Sequence, residues 1–494
     1  MLDFNTQIIF NAIKINRKRD LALQLHDDLY NRIKPYNITR EQCVKIRENY
    51  GSLGVRGRIF HQALEQYLRN RIEPVQAMFS SWMQGAKAQV KGEDVPFSQV
   101  IIWCQDQSDN EKRHILRYEI RSLCRFLAPF SHATWQVLLH TLEEEFNYPN
   151  YIEYCQEKKA VDIKAWYKIA RQFLDKTKDY YNELIEEILG RITSLTIEQA
   201  CRFDAIYLLG LRYLDHLFPV CNISDSINSF FTNLGVDLNS FKNLIIHTTG
   251  KSGRQSYCIP IEIPNEVHVI IGPIKGWLDL ESFFHEIGHA LSFIFTSKDL
   301  SLEEREFFIS GALSETFAFC FQKICMSEEF LVDIFGLSLK EAKFISKIHA
   351  FKWLALTRRY ATKFLVEVDN FLDSKVQRGQ EHYAKMMKKE TGFDYDPETY
   401  LFDLMPDIYS LDYFQAYIAS SCIWKYFIDA LGTRWFCQQE ALNLFFKWWQ
   451  LGNSLGLEDF FKKEIEIPLT IEPFLEECKE LINLKALLLS SWPF

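Results

Sequence analysis

The pattern of apolar and polar positions along this chain is mainly helical. Three N-terminal stretches repeat apolar residues three and four apart: ALEQYLRNRIEPVQAMFSSWM, AWYKIARQFLDKTKDYYNELIEEILGRI and IEQACRFDAIYLLGLRYLDHLF. That spacing puts the apolar side chains on one face of a 3.6-residue helix. The pattern changes in HTTGKSGRQSYCIPIEIPNEVHVIIGPIKGW, which is rich in β-branched residues and interrupted by glycine and proline. Tyr257–Ile263 and Val267–Ile271 read there as short strands of a small sheet at about 255–272. An open edge of that sheet can take an extended peptide by backbone hydrogen bonds, or the strands can be a plain structural hairpin. Helical patterning resumes at Asp279 and is broken again by EIPLTIEPF at 466–474; the last apolar stretch, LINLKALLLSSWPF, is expected to dock on the core. The predicted fold is therefore mainly α. An N-terminal helical region, 1–245, is followed by a region, 246–494, that holds the sheet and the C-terminal helices.

Composition narrows the class. Aromatic residues make up 15% of 494 residues, too many for a disordered chain, and only 20 glycines and 14 prolines interrupt them. The formal net charge of -9 supplies no basic excess for a nucleic-acid backbone. Twelve cysteines are scattered without CxxC pairs, as expected of reduced core thiols. The first twenty residues carry no small-residue cleavage site, and no uncharged apolar run reaches the about 18 residues of a membrane span. A cytoplasmic location without membrane or nucleic-acid partners follows as the expectation. Gly51, Gly54 and Gly57 mark a loop near several arginines, and no GKS or GKT follows to make it a phosphate loop.

The candidate chemistry lies in ESFFHEIGHALSFIF. His285-Glu286-Ile287-Gly288-His289 is an HExxH run on a helical pattern, the zinc-binding and general-base element of many metallopeptidases. One turn separates the histidines, so both imidazoles leave one face, and Glu286 lies between them. A third ligand is required. Downstream, Glu303, Glu304 and Glu306 crowd the start of SLEEREFFISGALSETFAFCF, where Ser301 and Glu304 form a capping box. Glu315 instead sits in an apolar stretch, where coordination would remove the cost of burying its charge. Gly311 and Ala312, one turn earlier, would let this helix approach the HExxH helix. Glu315 is the candidate ligand; if it only supports a zinc histidine, Glu306 is the alternative. Tyr409, Tyr413 and Tyr417 in DIYSLDYFQAYIASSCIWKYF are candidate hydrogen-bond donors to an oxyanion, with Ser410 as the helix cap. His268, His349 and His382 are weaker candidates for substrate contact.

HEIGHA at 285–290, with Glu315 in GALSETFAF 25 intervening residues after His289, resembles the M3/M32 group of zinc peptidases. That group includes thimet-type oligopeptidases, oligoendopeptidase F and Taq-type carboxypeptidases. YFQAY at 413–417 is similar to the group's tyrosine-bearing helix. The resemblance is carried by 277–325 and 405–432 and thins across the N-terminal half. It implies a gluzincin: one zinc ion held by His285, His289 and Glu315, with Glu286 as base and tyrosines as oxyanion donors. It also implies an elongated helical body with a deep channel that admits short unfolded peptides. Three features depart from the group. The spacing of Tyr413 and Tyr417 does not match both thimet-type tyrosines without a shift. The histidine segment expected before the tyrosines is missing, with Asp407 near that region, and the arginine and Gln-Asp-x-His signatures of Taq-type enzymes are absent. The expected activity is zinc-dependent oligopeptidase action. Metallocarboxypeptidase action, with Arg358, Arg359 or Arg434 on the terminal carboxylate, is the alternative, and a non-catalytic zinc scaffold is a third reading. The sequence leaves substrate preference and oligomeric state open.

Overall fold

A computed structural model describes residues 4–25, 33–219, 223–249, 256–372 and 379–481. The chain is mostly helical with two small sheets. The principal elements are, in order, α1 (Phe4–Leu25), α2 (Gly54–Gly85), the hairpin β1 (Lys87–Val90) and β2 (Glu93–Pro96), α3 (Asn110–His140), α4 (Ile163–Thr193), α5 (Arg202–Gly210), β3 (Leu244–Thr248), β4 (Tyr257–Glu262), β5 (Glu266–Ile271), α6 (Trp277–Ile294), α7 (Ala312–Cys325), α8 (Leu339–Leu372) and α9 (Tyr409–Leu431). Among the described residues no helix is long and apolar enough to cross a membrane. The terminal LINLKALLLSSWPF lies outside the described residues beyond Leu481.

Local chemistry sets the element boundaries. The Asp162 carboxylate caps α4 by accepting from Ala165 N at 2.9 Å. The third amphipathic stretch is not one helix. Leu211 adopts a positive φ of 56°, so α5 stops at Gly210 and a 3-10 turn, Arg212–Leu217, follows. Gly57 lies inside α2 rather than in a loop; a Cβ there would meet the Ser52 carbonyl carbon at 2.4 Å. The capping box at Ser301 forms as expected, but its helix ends at Glu306. A new helix, α7, starts at Ala312. Glu315 is thus in a first turn, close to the positive end of a helix, and not in mid-helix.

The sheet before the HExxH segment has three strands in the order β3-β5-β4. β5 runs parallel to β3 and antiparallel to β4. β5 is the central strand and is buried along most of its length, whereas β4 is an outer strand. Helix α6 packs against this sheet and, most extensively, against α7, which in turn packs on α9. One hydrophobic core runs from Ile9 to Leu481 and includes Phe284, Ile287, Leu291, Phe317 and Phe321 at the α6–α7 contact.

The α6–α7 approach depends on Gly288, the glycine within the HExxH run. A Cβ at Gly288 would lie 2.7 Å from Ala318 Cα and 3.1 Å from Phe317 O. Gly311 plays another part: a Cβ there would meet Tyr409 Oη at 2.4 Å, so this glycine makes room for a tyrosine and not for α6. The N-terminus of α6 is tied to the N-terminal half. Asp215 Oδ1 accepts from Trp277 N at 3.0 Å, and Arg212 holds Asp279 with two hydrogen bonds of 2.9 and 2.7 Å. The Asp215 contact satisfies a helix-end donor that would otherwise be left without a partner.

Candidate metal and catalytic centre

His285 and His289 leave α6 on one face, with ring centroids 4.8 Å apart. Glu315 comes from the first turn of α7. Its Oε2 lies 3.4 Å from His285 Nε2 and 3.6 Å from His289 Nε2. Those separations are long for hydrogen bonds. They match the edge of a tetrahedron whose metal–ligand bonds are about 2.1 Å, an edge of about 3.4 Å. Glu315 Oε2 is buried with no hydrogen-bond partner, a costly state for a carboxylate oxygen unless a cation faces it. The donor set of two imidazoles and one carboxylate therefore fits a zinc ion. Burial opposes ionisation of Glu315, but the two imidazoles outweigh it and hold its pKa well below the usual carboxylate range.

Support behind the ligands fixes their orientation. The Glu281 carboxylate can only accept, so Gln322 must present its amide nitrogen to it, at 2.9 Å. The Gln322 carbonyl oxygen then faces His285 Nδ1 at 3.1 Å and accepts its proton, leaving a free lone pair on Nε2 toward Glu315. Lys352 anchors the chain from behind, donating to both Glu281 oxygens at 3.0 and 2.9 Å. His289 Nδ1 pairs with Ser314 Oγ at 2.8 Å. Such partners set ligand tautomer and basicity in metal sites. Glu281, Gln322, Ser314 and Lys352 were not singled out from the sequence. One signal was available: Glu281 is an acid one turn before His285 on an otherwise apolar helix.

Glu286 lies beside the candidate ligands on the cavity wall, near Cys258 of β4. Burial raises its pKa above the ordinary value, and the two histidines only partly oppose this. The three tyrosines line the same cavity. Tyr409 Oη donates to Glu315 Oε1 at 2.7 Å. Tyr413 stacks on Tyr360, with centroids 4.7 Å apart, and Tyr417 on Phe319 at 4.2 Å. The Tyr413 hydroxyl has no hydrogen bond within the protein among the described residues. Its pKa is raised chiefly by the charge of Glu315 and then by burial, so the phenol keeps its proton.

A strained turn positions these tyrosines. Asp407 and Ile408 both have positive φ, 55° and 51°. For a β-branched isoleucine this is a rare conformation, costing on the order of 1–3 kcal/mol. Lys158 holds the Asp407 carboxylate at 2.7 Å, and Tyr151 Oη accepts the Asp407 N–H at 2.8 Å. The helix begins at Tyr409, and Ser410 is not its cap; the Ser410 hydroxyl donates to Glu367.

The cavity has a volume of about 1000 Å³ and is lined from both halves of the chain, including α1, α2, α5, β4 and α6 to α9. Tyr257, Cys258 and Pro260 of the outer strand β4 lie on its wall. The other candidates fall elsewhere. Glu306 is bound to Arg17 and accepts from Ile263 N at 2.6 Å. His349 is buried against Trp353 and Glu281, His268 pairs with His247, and His382 with Asp369. Arg358 is buried on the carbonyls of Leu174 and Glu390, and Arg434 pairs with Asp333 at the surface. Of the three arginines only Arg359 lines the cavity. A second cluster of potential ligands, His114, Cys201 and Asp204, lies outside it. There Asp204 is already engaged by Arg113, His114 and Cys201 N.

No family model matches this sequence, and no curated protein matches it. Solved structures do. A protein described as an oligoendopeptidase F from Bacillus anthracis strain Ames superposes with a TM-score of 0.58 at 14% identity, covering 95% of this chain and 82% of that one. PZ peptidase A, solved with an inhibitor, gives a TM-score of 0.61 at 13% identity over 91% of this chain and 82% of that one. At these identities the likeness is one of fold. It extends over nearly the whole chain, including the N-terminal half in which the sequence resemblance was thin.

Proposed function

We propose that this chain is a zinc metallopeptidase that hydrolyses peptide bonds in short unfolded peptides. The carrying observation is the convergence of His285 Nε2, His289 Nε2 and Glu315 Oε2 beside Glu286 on the wall of a large internal cavity. The fold likeness to two peptidases supports the same reading. A zinc ion held there would acidify a bound water and polarise a peptide carbonyl.

The chain's own groups carry the proton chemistry. Glu286, raised in basicity by burial, accepts the proton of the attacking water at its carboxylate and returns it to the departing amine. The Tyr413 phenol, protonated and without a hydrogen-bond partner among the described residues, donates to the oxygen that gains negative charge. Tyr409 serves the ligand Glu315 instead. The β4 wall supplies backbone groups along which an extended substrate can lie. The cysteines Cys43, Cys104, Cys155 and Cys320 are free and buried, which fits a reducing compartment such as the cytoplasm.

The test is a mixed peptide library digested by the zinc-loaded protein and by E286Q, read by mass spectrometry. Parent-only products are expected, and a chelator should abolish them. Zinc-loaded parent that yields no product across the library refutes the general peptidase reading. A non-catalytic scaffold gives Glu286 no role, so E286Q separates the two readings.

A further inference from the structure

The charges on the cavity wall are balanced at most places and unbalanced at one. Lys158 pairs with Glu65 and Asp407, Lys159 with Asp412, Lys352 with Glu281, Arg17 with Glu306 and Arg69 with Asp20. Arg202 and Arg359, which also line the cavity, share a single acid with Lys363. Asp403 Oδ1 faces Arg359 Nη2 at 2.6 Å, Lys363 Nζ at 3.3 Å and Arg202 Nη2 at 3.4 Å, and its other oxygen accepts from Tyr383 Oη at 2.9 Å. Three cations thus meet one carboxylate. The next acid, Glu367, is occupied by Ser410 and Met405 N, and burial pushes its pKa up to about 7. Burial lowers the pKa of Lys363, so the lasting excess is that of the two guanidiniums over the one carboxylate they share, and it stands while Glu367 keeps its proton.

The fold holds this surplus in place. Lys352, Leu356, Arg359 and Lys363 follow one another at three- and four-residue steps along α8, so one stripe of that helix joins the support of His285 to the arginine. Arg202 reaches the same point from the start of α5. Each guanidinium rests near an aromatic ring, Arg359 with Tyr360 at 5.4 Å and Arg202 with Tyr395 at 5.7 Å. Tyr360 in turn stacks on Tyr413, which places the cluster next to the tyrosine wall of the catalytic centre.

We infer that Arg359 and Arg202 form an anion subsite that binds a carboxylate of the peptide substrate, so that peptides presenting a carboxylate at the position it reaches are preferred. This rests on the peptidase reading above and deepens it. The carboxylate has two possible sources, the C-terminal α-carboxylate or an Asp or Glu side chain. Both present the planar oxygen pair that a guanidinium recognises. A charge-assisted pair in a partly desolvated wall is worth on the order of tenfold to a hundredfold in affinity.

The experiment measures binding without turnover, by fluorescence anisotropy on zinc-loaded E286Q. One labelled peptide is compared as free acid and C-terminal amide, and a second, amidated throughout, carries Glu or Gln at each position in turn. At least a tenfold preference for the carboxylate is expected in one arm, which identifies its source. The preference should fall below threefold in E286Q/R359M and in E286Q/R202M, and should be partly retained in E286Q/R359K. The second arginine variant covers the case in which loss of Arg359 disturbs Asp403. Equal binding within twofold in both arms, no binding of any peptide, or a preference untouched by both arginine variants overturns the subsite. Cleavage by the parent is scored separately. Efficient turnover with no charge preference would sink the subsite and leave the peptidase, while a binding preference without turnover would do the reverse.

Discussion

Replacing Gly288 by alanine tests whether the metal centre depends on the distance between two helices. The added Cβ would sit 2.7 Å from Ala318 Cα, 3.1 Å from Phe317 O and 3.2 Å from Phe321 Cβ. Two of these neighbours are backbone atoms and have no rotamer with which to move aside. Ordinary contact begins near 3.4 Å, so α6 and α7 must part locally by about 0.7 Å. His285 and His289 are on one helix and Glu315 is on the other, so the opening goes directly into the 3.4 and 3.6 Å separations of the ligand atoms. Functional constellations tolerate about 0.5 Å of error. Overpacking of this kind costs about 1–3 kcal/mol of stability. The zinc affinity of G288A, measured by competition with a chromophoric chelator, is expected to fall about 10- to 100-fold, and peptide turnover about 100-fold. G190A is the control: Gly190 is in α4 with open space around its Cβ position, and alanine there should be neutral or slightly stabilising. A G288A protein that binds zinc within twofold of the parent and keeps full turnover would refute the argument that this glycine sets the site.

Three further outcomes follow from the same geometry. S314A and Q322L each remove the partner of one histidine, and each should weaken zinc binding about 10- to 100-fold in the chelator assay; unchanged affinity would remove these residues from the support of the metal. Glu281 has its pKa lowered from 4.5 to about 2, because Lys352 and His349 outweigh the cost of its burial. A depressed carboxylate stabilises the fold above its unfolded pKa, and that stability is lost as pH falls from about 4.5 through about 2, an effect of roughly 3 kcal/mol. Urea denaturation of the metal-free protein should therefore show E281Q less stable at neutral pH, with the gap closing on acidification; a pH-independent gap would contradict the assignment. Y413F should lower kcat about 10²- to 10³-fold with little change in KM, whereas Y409F should act mainly through zinc affinity; the opposite pattern would exchange their roles.

The part of this molecule legible in its sequence is the part governed by local periodicity. His285, Glu286 and His289 are fixed by one turn of helix, and an apolar 3.6-residue pattern suffices to place them on one face. The small sheet before that helix was equally readable, because strands at Tyr257 and Glu266 need only β-branched residues between breakers. Its third strand, β3, was not, since a parallel partner more than twenty residues away leaves no local trace. The supporting shell was hidden for the same reason. Lys352 reaches Glu281 across 71 positions, and Arg202 and Arg359 meet only because a short helix carrying Asp403 lies between them. Even the glycines misled at short range. Gly311 stands one turn before Glu315, where a small residue could serve helix packing, yet the close approach is made by Gly288, and Gly311 is small because a tyrosine from 98 residues later occupies its space. The position of Asp407 carries the argument furthest. The peptidase group that the sequence resembles has a histidine segment before the tyrosines, whereas here an acid in a left-handed turn is held by Lys158 and Tyr151. Its carboxylate is already paired with Lys158, so under the proposed peptidase reading proton transfer falls to Glu286 and oxyanion donation to Tyr413. The strain at Asp407 and Ile408 is then the cost of starting the helix where Tyr409 reaches Glu315.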